Sequence, residues 1–229
     1  MHSDFDRYSD TYRDDVQRSI GFLGQDHDFF VRHKVGQLLG VTRRRVGEPK
    51  DLTILDVGCG IGLTDRYLAE EFGSVHGVDV SEESLAIAKD ANPTARYQAY
   101  DGETLPFSDG SIDVTFAIGV LHHVPVSARS RFIREMGRVT APSGLAVVLE
   151  HNPYNPLTRL AVDRCDFDEG VILPSKRFTT ALFRANGLRI VEAPYVLFFP
   201  LRGRVFRAGE RGLGWLPLGA QYVVAGRKS

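Results

Sequence analysis

The sequence predicts an α/β fold built on a doubly wound, mostly parallel sheet, and three observations carry that expectation. Between residues 50 and 150, five strand-like runs alternate with helical runs, the pattern of a parallel sheet with helices on both faces. The run Ile54-Leu55-Asp56-Val57-Gly58-Cys59-Gly60-Ile61-Gly62-Leu63 joins a buried-strand signal to a helix through a turn with glycine at alternate positions. Acids recur where strands end, at Asp56, Asp79, Asp101 and Glu150. At 229 residues, 43% hydrophobic and 25% charged, the chain is long enough for one sizeable core.

Taken in order, residues 4–46 read as two helices joined near Gly24, ending in Arg43-Arg44-Arg45 and a linker at Gly47-Glu48-Pro49. Phe5, Tyr8, Tyr12, Phe22, Phe29 and Phe30 exceed the aromatic needs of two surface helices and suggest a lid. The first strand ends at Asp56-Val57, and a helix is expected over 64–72. Val75 to Val80 is the second strand. It ends in Asp79, about 20 residues beyond the first, where a carboxylate can accept both hydroxyls of a ribose. Ser81 caps the next helix, with Glu82 and Glu83 in its positive first turn. A third strand over 95–100 leads into Asp101-Gly102-Glu103 and Leu105-Pro106-Phe107. A fourth, Ile112 to Ile118, leads into Gly119-Val120-Leu121-His122-His123-Val124. A helix over 127–139 and a turn at Pro142-Ser143-Gly144 precede the fifth strand, Leu145 to Glu150. Residues 151–174 look irregular. A helix over 175–186, a strand over 189–199, a Gly/Arg-rich stretch and a last strand over 220–225 complete the chain.

The glycines need positive φ values closed to other residues, and the helix behind them offers unpaired N–H groups. A dinucleotide loop spaces its glycines G-x-G-x-x-G around a pyrophosphate, whereas this one reads D-x-G-x-G-x-G. Asp56 would repel a pyrophosphate and suits a cationic ligand carrying an amino group. With that spacing, Asp79, the D-G-E-T-L-P-F stretch at 101–107 and L-H-H-V at 121–124, the chain resembles the class I S-adenosylmethionine (SAM) dependent methyltransferases, in its core the small-molecule, ubiquinone/menaquinone-biosynthesis-like group.

The resemblance implies a seven-stranded sheet of order 3-2-1-4-5-7-6 with an N-terminal helical lid, in one methyltransferase domain over residues 1–229. Residues 1–49 would be a helical cap, 50–150 the SAM-binding core, and 151–229 a substrate-side loop and C-terminal hairpin. It also implies SAM as cofactor, with S-adenosylhomocysteine as its product. The loop residues Asp56, Gly58, Cys59, Gly60 and Gly62 would hold it, with Asp79 and Val80 at the ribose and Asp101, Gly102 and Glu103 at the adenine. Ile118 and His123 would pack on it, and Tyr12 would close over it, with Phe30 and Lys34 next as lid residues.

Methyl transfer asks mainly for alignment of acceptor and donor. If the acceptor is a hydroxyl, its proton must leave, and His122 is the first expected receiver, before His151, with Glu150 beside them at the pocket. The expected function is O-methylation of a small-molecule or lipid- or sugar-linked acceptor. Carbon methylation of a quinone-like or natural-product intermediate is the alternative, and a SAM-binding module without catalysis is the alternative of another class. Asn152-Pro153-Tyr154 invites comparison with the Asn-Pro-Pro-Tyr tetrapeptide of base-amino methyltransferases, but that tetrapeptide follows strand 4, where this chain has Ile118-Gly119-Val120-Leu121. Asp163, Asp166, Asp168 and Glu169 read as solvated, and no metal is expected. Cys59 and Cys165 fit neither a disulfide framework nor a zinc motif.

A net charge of −1 gives no global attraction to nucleic acid, and none is expected as a partner. The polar start MHSDFDRYSD lacks the signal-peptide pattern, and no run reaches membrane-span length, so a cytoplasmic location is expected. Arg202, Arg204, Arg207 and Arg211 beside Val205, Phe206 and Trp215 suit an anionic or amphipathic acceptor. Nothing in the sequence sets the oligomeric state.

Overall fold

The computed structural model describes residues 17–21, 24–199 and 212–228. Successive residues of the inner strands point to opposite faces of one sheet, which is therefore buried on both sides. Leu55, Val57, Ala146 and Val148 pack on one face with Phe132, Ile133 and Met136 of helix α4 (Arg129–Val139) and Phe183 of α6 (Lys176–Ala185). Ile54, Val114, Phe116 and Val147 pack on the other with Val31, Val35 and Leu38 of α1 (His27–Arg45) and Leu68 of α2 (Asp65–Leu68). Leu38 and Leu68 are wholly buried, each worth roughly 1.5–3 kcal/mol.

The sheet contains β1 (Thr53–Val57), β2 (Ser74–Asp79), β3 (Arg96–Ala99), β4 (Ile112–Ile118), β5 (Thr140–His151), β6 (Leu188–Glu192), β7 (Tyr195–Val196) and β8 (Gln221–Lys228). The order is β3-β2-β1-β4-β5-β8-β6, with β7 also on β8. The first five strands pair in parallel, and β8 runs antiparallel to β5, β6 and β7. This is the doubly wound sheet the sequence predicts. Its order reverses between β1 and β4, which opens a crevice at their carboxyl ends.

Local differences from the sequence reading have identifiable causes. The expected strand over 189–199 splits into β6 and β7 around Pro194, which cannot donate to a ladder, so the sheet has eight strands. The expected turn at Pro142-Ser143-Gly144 lies inside β5, bent there by Ser143 at φ 61°. A Cβ on Gly144 would stand 2.8 Å from the Asp113 carbonyl oxygen, so only glycine fits the bend. Residues 151–174, read as irregular, hold α5 (Pro156–Val162) and a single 3-10 turn at Asp166–Asp168. Asn155 caps α5 by accepting from Thr158 N at 3.0 Å, and Pro156 starts it. The helix expected over 64–72 is regular only at Asp65–Leu68.

Ahead of α1, residues 17–20 are helical and Gly24 has φ 67°, while Asp26 caps α1 through Phe29 N at 2.8 Å. Tyr12, Phe22 and the four arginines at 202–211 lie outside the described residues. Among the described residues no helix is long and apolar enough to cross a membrane.

Candidate active site

The turn after β1 shapes the first part of the crevice. Gly58 has φ 81°, and a Cβ there would stand 2.7 Å from Val120 Cγ2, so both conformation and close approach require glycine. Gly60 has open space where its Cβ would be, and its N–H donates to Asp79 Oδ2 at 2.8 Å. Ser81 N donates to Asp79 Oδ1 at 3.0 Å, so one carboxylate at the end of β2 ties the loop to the start of α3 (Glu82–Ala91). Gly62 does something different. A Cβ there would fall 2.5 Å from Asn92 Nδ2 and 2.8 Å from the Tyr97 hydroxyl, because this glycine seats the loop on α3 and β3. It does not line the cavity, which corrects the expectation that a ligand lies over the whole run from Gly58 to Gly62.

The cavity has a volume of about 420 Å³. Asp56, Gly58, Cys59 and Gly60 line it, as do Asp79, Val80, Asp101, Gly102 and Glu103. Ile118 and His123 line it with Val120. Asp101 Oδ1 accepts from Thr104 N and Glu103 N, both at 2.8 Å, and these bonds hold its carboxyl below the usual range. Glu103 is paired with Arg131 at 2.7 Å. Tyr100, Ser84 and Phe132 also line the cavity, although no motif singled them out.

Asp56 and its neighbour Asp65 are both buried acids. Burial, and then the neighbouring Asp65, push the Asp56 carboxyl well above its ordinary pKa. Burial pushes Asp65 up to about 7 against the bond from the Tyr97 hydroxyl at 2.8 Å. Burial and the same acids raise the Cys59 thiol, which therefore stays protonated.

A second cavity of about 160 Å³ adjoins the first, and the two share His27, Lys34, Ile118, Gly119, His123 and Phe167. Gly119, at φ 68°, turns the chain off β4 so that His122 and His123 both face inward. His122 is bonded at both ring nitrogens: Nδ1 to Glu150 Oε2 at 2.7 Å, and Nε2 to Asp168 Oδ1 at 3.3 Å. His123 Nε2 also stands 3.3 Å from Asp168 Oδ1. Burial alone would depress His122, but the Glu150 and Asp168 charges outweigh it and push the imidazole up to about 9. Burial would likewise raise Glu150, yet His122 holds it down at about 2, and Asp168 is held below the carboxylate range in the same way. Burial lowers His123, and burial with the His122 charge lowers His151 to about 4. Lys34 of α1 is also lowered by burial, against the pull of Glu150 and Asp168.

This geometry revises the ranking of proton acceptors. His122 is engaged on both sides and charged near pH 7, so it is not the neutral imidazole the sequence suggested. Glu150 is 1% exposed and stands behind His122 rather than facing the cavity. His151 does line the cavity, and among the described residues its ring takes no hydrogen bond. Asp168 is the residue that sequence reasoning misjudged, since nothing local separates it from Asp166. Only the fold brings it to a residue 46 positions away.

Residues 55–148 match the family model described as a methyltransferase domain. The chain is 38% identical over 108 residues to the 2-methyl-6-phytyl-1,4-hydroquinone methyltransferase of Synechocystis sp., covering 45% of this chain and 33% of that protein. It is 35% identical over 109 residues to the chloroplastic tocopherol O-methyltransferase of Arabidopsis thaliana, covering 44% and 31%. The chain thus spans about a third of the length of these relatives. Among solved structures, a SAM-dependent methyltransferase from Thermotoga maritima, titled a possible histamine N-methyltransferase, superposes with TM-score 0.67 at 19% identity over 98% of both chains. Geranyl diphosphate C-methyltransferase from Streptomyces coelicolor, solved with Mg2+, geranyl diphosphate and S-adenosyl-L-homocysteine, gives 0.63 at 18% identity over 86% and 80%. At such identities these two structures show the shared fold.

Proposed function

We propose that this chain, whose residues 55–148 match a methyltransferase domain, is a class I SAM-dependent methyltransferase that moves a methyl group to a hydroxyl oxygen of a small, ring-bearing acceptor. The observation that carries this reading is the common wall of the two cavities, Ile118-Gly119 and His123. A donor held in the larger space and an acceptor in the smaller would meet there, and alignment is what methyl transfer chiefly requires.

The residues present fit SAM. The cradle at Gly58 and Gly60 leaves room for close approach, and the buried acids Asp56 and Asp65 lack a cation that an amino group would supply. Asp79 would hold the ribose, and Asp101 with Gly102 the adenine edge. SAM supplies an already activated methyl on a sulfonium. The chain's own work is to bind, orient, exclude water and receive a proton.

A cavity of about 160 Å³ suits a single ring, since an apolar cavity of about 150 Å³ holds benzene. The names of the hydroquinone and tocopherol relatives point to hydroxylated rings, and such an acceptor supports oxygen as the methylated atom. In this reading His151 receives the hydroxyl proton, because it lines the cavity and its ring takes no hydrogen bond among the described residues, while both nitrogens of His122 are taken. Burial and the His122 charge hold its imidazole down at about 4, so it is neutral before the transfer. Glu150 positions His122 and does not touch the acceptor.

Calorimetry with S-adenosylhomocysteine tests the cofactor half: binding is expected, with no competition from NAD. Incubation with labelled SAM and a panel of hydroquinones tests the acceptor half, where an aryl methyl ether is the expected product. Tight NAD binding without an S-adenosylhomocysteine signal would overturn the first half. Methyl found on ring carbon would overturn the choice of oxygen.

A further inference from the structure

The pair of histidines at the shared wall has a second capacity. His122, His123 and Asp168 each offer a ligand atom, and the three atoms lie within 4.8 Å of one another. The carboxylate oxygen stands 3.3 Å from each of the two nitrogens. An ion with bonds of about 2.0–2.1 Å to nitrogen and oxygen, arranged tetrahedrally, needs ligand atoms about 3.3–3.4 Å apart. Two of the three edges already have that length.

The surroundings meet the remaining demands of such a centre. Glu150 takes the Nδ1–H of His122 at 2.7 Å from a buried position, which fixes the ring and directs Nε2 at Asp168, where an ion would take the place of the Nε2 proton. A carboxylate behind a ligating histidine is the usual orienting partner. The buried Glu150 and the partly buried Asp168 face two imidazoles, so a divalent ion with both rings neutral would balance the two carboxylates, with Lys34 the nearby cation. The three side chains come from the tight turn after β4 and the 3-10 turn at Asp166–Asp168, and all three residues line the smaller cavity, from which a fourth ligand could come.

We propose that His122, His123 and Asp168 form a three-ligand site for a divalent transition-metal ion of the zinc type. Two imidazole nitrogens and one carboxylate select zinc, cobalt or ferrous iron over magnesium or calcium, which favour all-oxygen sets. An acceptor hydroxyl taking the fourth position would be held at the wall and would lose its proton more readily. That role rests on the methyl-transfer reading; binding of the ion does not.

Titration of metal-free full-length protein with Co2+ reads the site directly, because tetrahedral Co2+ absorbs strongly in the visible. One ion per chain is expected, with a dissociation constant at or below about 1 µM, displaced by Zn2+ and not by Mg2+. Asp168→Asn and His123→Ala should each weaken binding by at least ~10–100-fold, with circular dichroism and the S-adenosylhomocysteine affinity of Asp168→Asn reporting an intact fold. Binding only in the millimolar range, or unchanged in Asp168→Asn, would overturn the proposal. Co2+ binding without S-adenosylhomocysteine binding would leave the metal site standing and defeat the methyl-transfer reading. The reverse result would defeat the metal site alone.

Discussion

The two cavities that meet at Gly119 are opposites in charge. On the larger side Asp56 and Asp65 are buried together, and both are pushed toward the neutral acid. On the smaller side His122 stands between Glu150 and Asp168, and this imidazolium holds both carboxylates ionised. The first arrangement is under tension that a cationic ligand relieves. The second is settled, and its chemistry depends on the groups left outside the network. His151 is such a group: it shares the cavity with His122, their ring centroids 5.4 Å apart, yet takes no hydrogen bond among the described residues.

The largest effect should follow from breaking that division of labour. His151→Ala removes the unbonded imidazole, and kcat should fall by about 10²–10⁴-fold while S-adenosylhomocysteine affinity stays within about 2-fold. His151→Gln should not restore the rate, since an amide cannot take up a proton. Near-normal turnover in either variant would mean that the acceptor proton leaves by another route.

A smaller effect is expected at Asp79. Its carboxylate accepts from Gly60 N and Ser81 N, so alanine there removes the tether of the glycine turn as well as any ribose contact. The loss in S-adenosylhomocysteine affinity should be about 1.5–3 kcal/mol, seen by calorimetry as roughly 10–150-fold. The fold should survive, because β1 and β4 hold the base of the turn through their own ladder. Unchanged affinity would place the ribose elsewhere, and would show that the histidine side, not the acidic side, sets cofactor binding.

The same contrast explains what was legible in the sequence. The larger cavity is built largely from runs that are continuous in the chain, and its turn geometry is written into residue type: Gly58, Gly60 and Gly102 all sit at positive φ. Spacing pointed to Asp56 and Asp79 and the family resemblance to Asp101, and all three line the cavity. Gly62 fitted the same pattern for another reason, packing against Asn92 and Tyr97, and a regular spacing cannot tell a ligand-facing glycine from a core-facing one. The smaller cavity is assembled across distance. Glu150 reaches His122 over 28 positions and Asp168 reaches it over 46. The roles within that cluster depend on which nitrogen meets which oxygen, and this has no sequence signature. Cys165-Asp166-Phe167-Asp168 reads as a polar loop until the fold turns Asp168 inward.

The smallest effect concerns the tension on the acidic side, and its sign follows from the Asp65 carboxyl. Its folded pKa, pushed up to about 7 by burial, lies above the unfolded value of about 3.9. Folding therefore favours the protonated form. The stability this contributes is fully present below about pH 4 and is lost as pH rises through 7. Asp65→Asn keeps a carbonyl oxygen that can accept from the Tyr97 hydroxyl and cannot ionise. In denaturant melts without ligand, the variant should gain on the order of 1–2 kcal/mol over the parent at pH 8, because the amide must still be desolvated and this offsets part of the relief. The gap should close toward pH 4, where both carry a neutral group. A saturating ligand with a positive amino group should narrow it at pH 8 by lending the parent the missing cation. Parallel stability curves from pH 4 to 8 would show that Asp65 ionises freely in the folded chain, and the contrast between a strained acidic side and a settled histidine side would fail with it.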